Sequence, residues 1–346
     1  MIAAAERHGI IVGGTWCADH NKLVDRWPGE EDLVLIQGEE VRGGGPACNL
    51  AIGVKRLDPD MPVATIGLLG DDADGHILKS QAQREGLDCS DLVTIEGSRT
   101  TFTDAFTSEE TGRRTHLYYP GTSGLMTPDH FDFDGKRARI LHLGLPGLHD
   151  QMDKSWKADP NGWVTVLKKA RKAGIKTNLE MCSLPAQRLV EVVTPCLGHL
   201  DYLIINDFEV AALANRPVRH GEDVDPGECL ANAQDVFDHG SMEILVVHFP
   251  RGAIALQRGA EPLVTQSVAI PKEAIAGSNG AGDAFASGIL YGMHQGWELR
   301  DALQLAHASA AASMRHIGTT DGIERWQHCL RLAKDYGSRA ASELAN

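Results

Sequence analysis

No apolar run in this chain approaches the roughly 18 residues that a membrane-spanning helix requires, although 42% of its 346 residues are hydrophobic, enough for a substantial core. A soluble protein is expected. The opening Met1-Ile2-Ala3-Ala4-Ala5-Glu6-Arg7-His8 lacks both the basic n-region and the long apolar h-region of a secretory signal, so the expected compartment is the cytoplasm. Cysteine supplies no framework. The seven (Cys17, Cys48, Cys89, Cys182, Cys196, Cys229, Cys329) are odd in number, scattered and never spaced C-x-x-C, which indicates neither a disulfide scaffold nor a zinc site. Positive charge is short, with 33 Lys and Arg against 47 Asp and Glu and a formal charge of −14. That balance disfavours nucleic acid and an anionic membrane surface as partners. G-x-x-x-x-G-K-[ST] is absent, which leaves a P-loop kinase unsupported, and so are the H-R-D, D-F-G, H-E-x-x-H and G-x-S-x-G signatures.

What the chain does carry is Gly277-Ser278-Asn279-Gly280-Ala281-Gly282-Asp283-Ala284-Phe285, a glycine-rich loop running into a small, apolar segment that reads as a buried helix. Free backbone N–H groups and the positive end of the helix dipole meet at such a junction, and glycine lets the main chain approach a ligand. An anion fits there, most naturally a phosphate. A carboxylate in the same turn would repel that anion unless it acts on something adjacent, as a general base would. Taken alone, the loop also suits a plain helix start with an N-terminal acid.

Elsewhere the pattern alternates. Strands are expected at 9–14, 62–70, 138–142, 175–179, 202–205 and 243–247, and helices at 76–85, 162–173, 185–193, 208–214, 228–237, 299–313 and 323–332. A further helix should open after Gly43-Gly44-Gly45-Pro46, and a β segment should cover 253–268. Residues 101–108 and 114–119 flank Glu109-Glu110-Thr111-Gly112 as a hairpin, and 33–41 reads as an exposed strand. The expected fold class is therefore α/β: a mostly parallel sheet sandwiched by helices. Residues 1–346 are read as a single unit, with a small β-sheet lid formed by about 21–41 and 101–119.

Three more stretches complete a series. Gly14-Thr15-Trp16-Cys17-Ala18-Asp19-His20 follows the first strand; Gly44-Gly45-Pro46-Ala47-Cys48-Asn49-Leu50-Ala51 has the form G-G-x-x-x-N-x-A, with G-x-x-G-D-D-x-x-G downstream at Gly67 to Gly75. Asn206-Asp207-Phe208-Glu209 has the form N-x-x-E after an apolar strand. With Gly280-Ala281-Gly282-Asp283 as G-A-G-D, these motifs stand in the order found in the ribokinase-like (PfkB) family of sugar and nucleoside kinases, which the chain resembles over nearly its whole length. Each motif also has an ordinary structural reading: Asp19 as a turn acid, Gly44 and Gly45 as a loop before a helix, Asn206 as an N-cap.

The resemblance implies a ribokinase-like fold and ATP-dependent, Mg²⁺-assisted phosphorylation of a hydroxyl of a small carbohydrate. It implies Asp283 as the base that accepts the hydroxyl proton, and the N–H groups of Gly280, Ala281 and Gly282 as the anion hole. It implies Asp19, Gly44, Gly45 and Asn49 as the acceptor's holders, and Asn206 with Glu209 as organisers of magnesium, largely through water. A carboxylate can accept from two vicinal hydroxyls, and Mg²⁺ keeps most of its waters, so these residue types suit their tasks.

Two departures are plain. Gly277 and Ser278 stand where relatives have Asp and Thr, which leaves a monovalent cation beside the anion hole without its usual carboxylate. His248 stands in Val246-Val247-His248-Phe249-Pro250-Arg251-Gly252 where T-x-G-x-x-G is common. The alternatives are a nucleoside kinase of the same family, with Trp16, Phe102, Phe106 or Tyr118 lining a base slot, and a non-catalytic sugar or nucleotide sensor. The exposed edges of the lid invite two lids to pair in a homodimer.

Overall fold

The computed structural model describes residues 6–182, 184–217 and 224–340, so residues 1–5 of the opening segment and the ends of the 1–346 unit lie outside the described residues. The first half of the chain contains β1 (Ile10–Gly14), β2 (Cys17–Val24), β3 (Ile36–Gly44), α1 (Pro46–Leu57), β4 (Val63–Gly70), α2 (Ala73–Arg84), β5 (Asp88–Ile95), β6 (Phe102–Ser108) and β7 (Arg114–Tyr119). The second half alternates β8 (Ile140–Gly144), α3 (Gly162–Lys172), β9 (Lys176–Leu179), α4 (Ala186–Val193), β10 (Tyr202–Asn206), α5 (Asp207–Leu213), α6 (Pro226–His239) and β11 (Ile244–Phe249). It ends with β12 (Gly252–Gln257), β13 (Leu263–Gln266), α7 (Ala281–Gln295), α8 (Leu299–Ser313) and α9 (Trp326–Tyr336).

Nine strands form one sheet in the order β13-β12-β11-β10-β9-β8-β1-β4-β5. Its pairs are parallel except those that join β12 to β11 and β13 to β12. Ile10, Ile11 and Val12 of β1 are at most 1% exposed, because helices cover both faces; this is why the strand reads as a continuous apolar run rather than an alternation. Ile10 and Val12 join the core shared with α1, α7 and α8, and Ile11 joins the one shared with α3, α4, α5 and α6. α7 lies close on α8 because it presents glycine there: a Cβ on Gly288 or Gly292 would sit 2.6 Å from Ala306 Cα or Ala302 Cβ.

The other four strands form a separate sheet in the order β3-β2-β6-β7. β2 leaves β1 through Thr15 and Trp16, pairs antiparallel with β3 from Cys17 opposite Gly44, and pairs parallel with β6. Hence this sheet starts at Cys17 rather than near residue 21, and Asp19 is a strand residue. β3 covers Ile36–Gly44 rather than 33–41. β5, Asp88–Ile95, carries too many polar and exposed positions at its sheet edge to read as a strand from sequence. The 253–268 segment is two antiparallel strands, and the last helix starts at Trp326 rather than 323.

From the centre of the large sheet the chain goes from β1 to β4 on one side, while β8 leads towards β9, β10 and β11 on the other. Such a switch opens a crevice beyond the carboxyl ends of the two central strands. There the Thr15 N–H donates to the Gly144 carbonyl oxygen at 2.9 Å, and Gly14, at φ 120°, has no room for a side chain against that same carbonyl. No helix among the described residues is long and apolar enough to cross a membrane.

Candidate active site

A cavity of about 710 Å³ occupies this crevice and extends under the four-stranded sheet; Asp19, Gly45, Asn206, Glu209, Gly282 and Asp283 all line it. One wall is the start of α7. Gly280 is its N-cap in a left-handed conformation, φ 76°, which glycine adopts without strain, and a Cβ there would meet Thr319 Cβ at 2.6 Å. The first N–H to bond along the helix is that of Ala284, to Gly280 O at 2.9 Å, so the preceding turn has donors to offer a ligand. Gly280 and Gly282 face the cavity. Ala281 does not line it, and its N–H is turned onto the Ser278 carbonyl oxygen at 3.3 Å. Of the three expected anion-hole members, two therefore meet at the cavity, because a tight turn over 278–281 uses the third.

Asp283 projects from the first turn of α7 beside these donors. Asn49 Nδ2 donates to Asp283 Oδ2 at 2.7 Å, and Thr319 Oγ1 donates to Asn49 Oδ1 at 2.9 Å. Asn49 is 5% exposed and does not line the cavity. Its donor and acceptor, expected on substrate hydroxyls, are both used inside the protein, where they orient the carboxyl group of Asp283. Burial pushes Asp283 well above the usual carboxylate range; the charge of Glu180 and a hydrogen bond with it add to that push, against the Asn49 bond and His142.

Asp19 enters the cavity from β2. Burial raises its carboxyl to about 6, opposed mainly by the Arg114 guanidinium. Gly44 stands near it on the neighbouring strand, and any side chain there would overlap the Asp19 carboxyl group. So Gly44 admits Asp19 rather than lining the cavity. Gly45 does line it, at φ 80°, and a Cβ there would come 2.7 Å from the Thr15 carbonyl oxygen.

Asn206 and Glu209 begin α5 as a reciprocal cap: the Glu209 N–H donates to Asn206 Oδ1 at 2.8 Å, and the Asn206 N–H donates to Glu209 Oε2 at 3.0 Å. The ordinary structural reading of N-x-x-E is thus realised. Both residues line the cavity as well, and burial raises the Glu209 carboxyl to about 7.

The site also holds residues to which the motifs assign no role. Glu180 follows β9 and lines the cavity, with His142 Nε2 2.7 Å from its Oε2. A carboxylate just beyond a parallel strand, one strand from the switch point, is the signal that would have drawn attention to it. His248, the penultimate residue of β11, lies against Gly282, where a Cβ would be 3.4 Å from its Cε1; burial depresses it to about 4, so the ring is neutral. Of the four candidate base-slot aromatics only Tyr118 lines the cavity. Trp16 is in the core, and Phe102 and Phe106 lie on the opposite face of β6 from Thr103, which does line it, as strand alternation requires.

This geometry can be set beside proteins of known kind. The family model described as pfkB family carbohydrate kinase matches residues 8–326. The chain belongs to the pfkB family of carbohydrate kinases. It is an ATP-dependent carbohydrate kinase, a phosphotransferase with an alcohol group as acceptor. A ribokinase from Arabidopsis thaliana is 22% identical over 96% of this chain and 83% of its own length. An adenosine kinase from Schizophyllum commune is 26% identical over 84% of this chain and 86% of its own length. The fold of Arabidopsis thaliana ribokinase, solved with ribose and ATP, superposes with a TM-score of 0.77 at 19% identity, covering 95% of this kinase and 99% of that chain.

The raised carboxyls have a cost in stability whose sign is fixed. As pH rises the unfolded chain ionises Asp283 first, near 4, so stability falls until the higher pKa of the folded state is passed and stays low above it. Asp283→Asn removes this loss while its side-chain oxygen still accepts from Asn49. The expected outcome is a variant that melts higher than the natural kinase by at least about 2 °C at pH 8, with a smaller gain at pH 5, measured by calorimetry at both values.

Proposed function

We propose that this kinase transfers the γ-phosphate of ATP to a hydroxyl of a small, neutral sugar, with Asp283 as the base that takes the hydroxyl proton. The observation that carries the reading is the position of Asp283: a carboxyl group fixed by Asn49 at 2.7 Å, on the cavity wall beside the first-turn donors of α7. Phosphoryl transfer is mainly positioning and charge stabilisation, and the roles follow. The N–H groups of Gly280 and Gly282 face the transferring phosphoryl, Asp19 and the Gly45 backbone hold the acceptor, and Asn49 orients the base. The four-stranded sheet acts as the lid that keeps water out. Sugar is favoured over nucleoside because the expected aromatic slot reduces to Tyr118, whereas hydroxyl readers remain.

Magnesium fits the oxygen donors of this cavity. Among the described residues no group of three or more His, Cys, Asp or Glu side chains is arranged to hold a metal directly, which suits an ion that keeps several waters and asks for few protein ligands. Asn206 and Glu209 would hold it through that water shell, and the ion would neutralise charge on the phosphates. The cavity's other carboxylates make that neutralisation necessary, since they repel a bare nucleotide.

ADP release from Mg·ATP is to be measured across a panel of sugars and nucleosides, with Asp283→Asn as control. A sugar should give turnover, and the variant should lose ~10²–10⁴ in kcat, the usual range for a general base; release with nucleosides alone would favour the nucleoside kinase, and none at all the sensor. Glu209→Gln should raise the magnesium concentration for half-maximal activity several-fold without unfolding α5, because glutamine also closes a capping box; an unchanged magnesium dependence would reduce the pair to a helix cap. Finally, Leu33, Leu35, Ile36 and Leu117 are 52–81% exposed around the edge strands β3 and β7. Sedimentation at micromolar concentration should show a homodimer that covers them; a monomer would remove the dimer and leave the lid.

A further inference from the structure

The two halves of the candidate site belong to different parts of the fold. Asp19 and Gly45 come from the four-stranded sheet and its exit, whereas Asp283 and Asn49 come from α7 and α1. Residues 318–322, between α8 and α9, touch both halves. Thr319 donates to Asn49 Oδ1 at 2.9 Å and lies against Gly280, where a Cβ would come 2.6 Å from its own. The Thr320 carbonyl oxygen accepts from Arg56 Nη1 of α1 at 2.8 Å and from the Ile323 N–H at 3.0 Å. Gly322 leaves no room for a side chain against the Ala312 carbonyl oxygen of α8. The turn is therefore fixed on the base side. Between Thr320 and Gly322, Asp321 Oδ2 accepts from Arg42 Nη1, and Arg56 Nη1 stands 3.5 Å from Asp321 Oδ1.

Arg42 belongs to the acceptor side. It lies in β3 directly opposite Asp19 of β2, and such cross-strand partners share one face of the sheet with their Cβ atoms about 5 Å apart. Two and three residues further on, Gly44 makes room for the Asp19 carboxyl group and Gly45 lines the cavity. Besides Asp321, the guanidinium bonds Glu40 of its own strand at 2.7 Å. α2 holds the same sheet elsewhere, through Asp74 on His20 at 3.0 Å and Gln81 Oε1 on the Gly43 N–H at 3.2 Å. Those two contacts fix the sheet to α2; the one to Asp321 fixes it to the turn that carries Thr319.

We propose that Arg42 and Asp321 form a clamp that sets the distance between acceptor and base, which makes both of them positioning residues for phosphoryl transfer. The inference rests on the reading of Asp283 as the base and Asp19 as a holder of the acceptor. Transfer of the hydroxyl proton needs the acceptor within hydrogen-bond reach of the base, and a misplacement of roughly 1 Å can cost about 10²-fold in rate. As a source of stability the pair is weak, because both side chains are 36% exposed and solvent screens such charges. Its effect comes from where it is attached. Breaking it leaves each half of the site with its own contacts and frees one half against the other.

The first stage of the test uses the ligand-free protein. Backbone hydrogen exchange should quicken at least about threefold at 318–323 in Arg42→Ala and at 38–45 in Asp321→Ala, while 176–179 in β9 exchanges as in the natural protein. In the second stage, with Mg·ATP and the sugar giving the most ADP release, each variant should lose at least about fivefold in kcat. Both KM values should stay within about twofold. The double variant should lose no more than either single one, since both changes break one tie. Asp321→Glu, which keeps the carboxylate, should recover at least about half of the natural kcat, and Arg42→Ala carries both stages if Asp321→Ala fails to fold. Unchanged exchange on the far side of the pair, additive losses, or single variants that turn over at the natural kcat would each overturn the clamp. A raised acceptor KM at natural kcat overturns it too and makes Arg42 a holder of the sugar. An active Asp283→Asn would overturn the base reading, and the positioning role with it, whatever the exchange shows.

Discussion

The 2.7 Å hydrogen bond from Asn49 to Asp283 is the contact on which the site depends. It ties the first turn of α1 to the first turn of α7, two helices far apart in sequence that pack on the same face of the large sheet. A carboxylate at a helix N-terminus gains from the dipole, but in a buried wall it would be neutralised or mispointed without a donor to fix it. Thr319 completes the arrangement by holding the far side of the Asn49 amide at 2.9 Å. The close packing of α7 on α8, permitted by Gly288 and Gly292, keeps that wall from shifting.

Charge in the cavity runs against its anionic substrate. Asp19, Glu180, Glu209 and Asp283 all line it, and burial raises each of them. A protein of formal charge −14 has no broad positive field to draw in a nucleotide. Local devices must do it instead: backbone N–H groups at the start of α7, and, on the proposed reading, magnesium. Keeping some of these carboxyl groups protonated lowers the repulsion further, at a cost in stability that functional sites commonly carry.

The four-stranded sheet is part of the site rather than an ornament on it. β2 carries Asp19, β6 carries Thr103 and β7 carries His116 and Tyr118 to the cavity. The apolar residues that remain exposed around its edge strands are the reason to expect a second copy over them.

By itself the amino-acid sequence determined the α/β class, the family, and the positions of Asp283, Asp19, Gly45, Asn206 and Glu209 on the cavity. Those signals are local: a glycine turn entering a helix, a cap after an apolar strand, apolar runs whose spacing matches strands and helices. The tertiary structure alone decided what the remaining motif residues do. Asn49 faces Asp283 and Thr319, Gly44 makes room for Asp19, and Ala281 turns its N–H to Ser278. It also brought Glu180 and His142, which no motif marks, to within 2.7 Å of each other at the cavity. Which atom meets which depends on strand order, register and helix packing between segments distant in the chain, and spacing along a sequence carries no record of that.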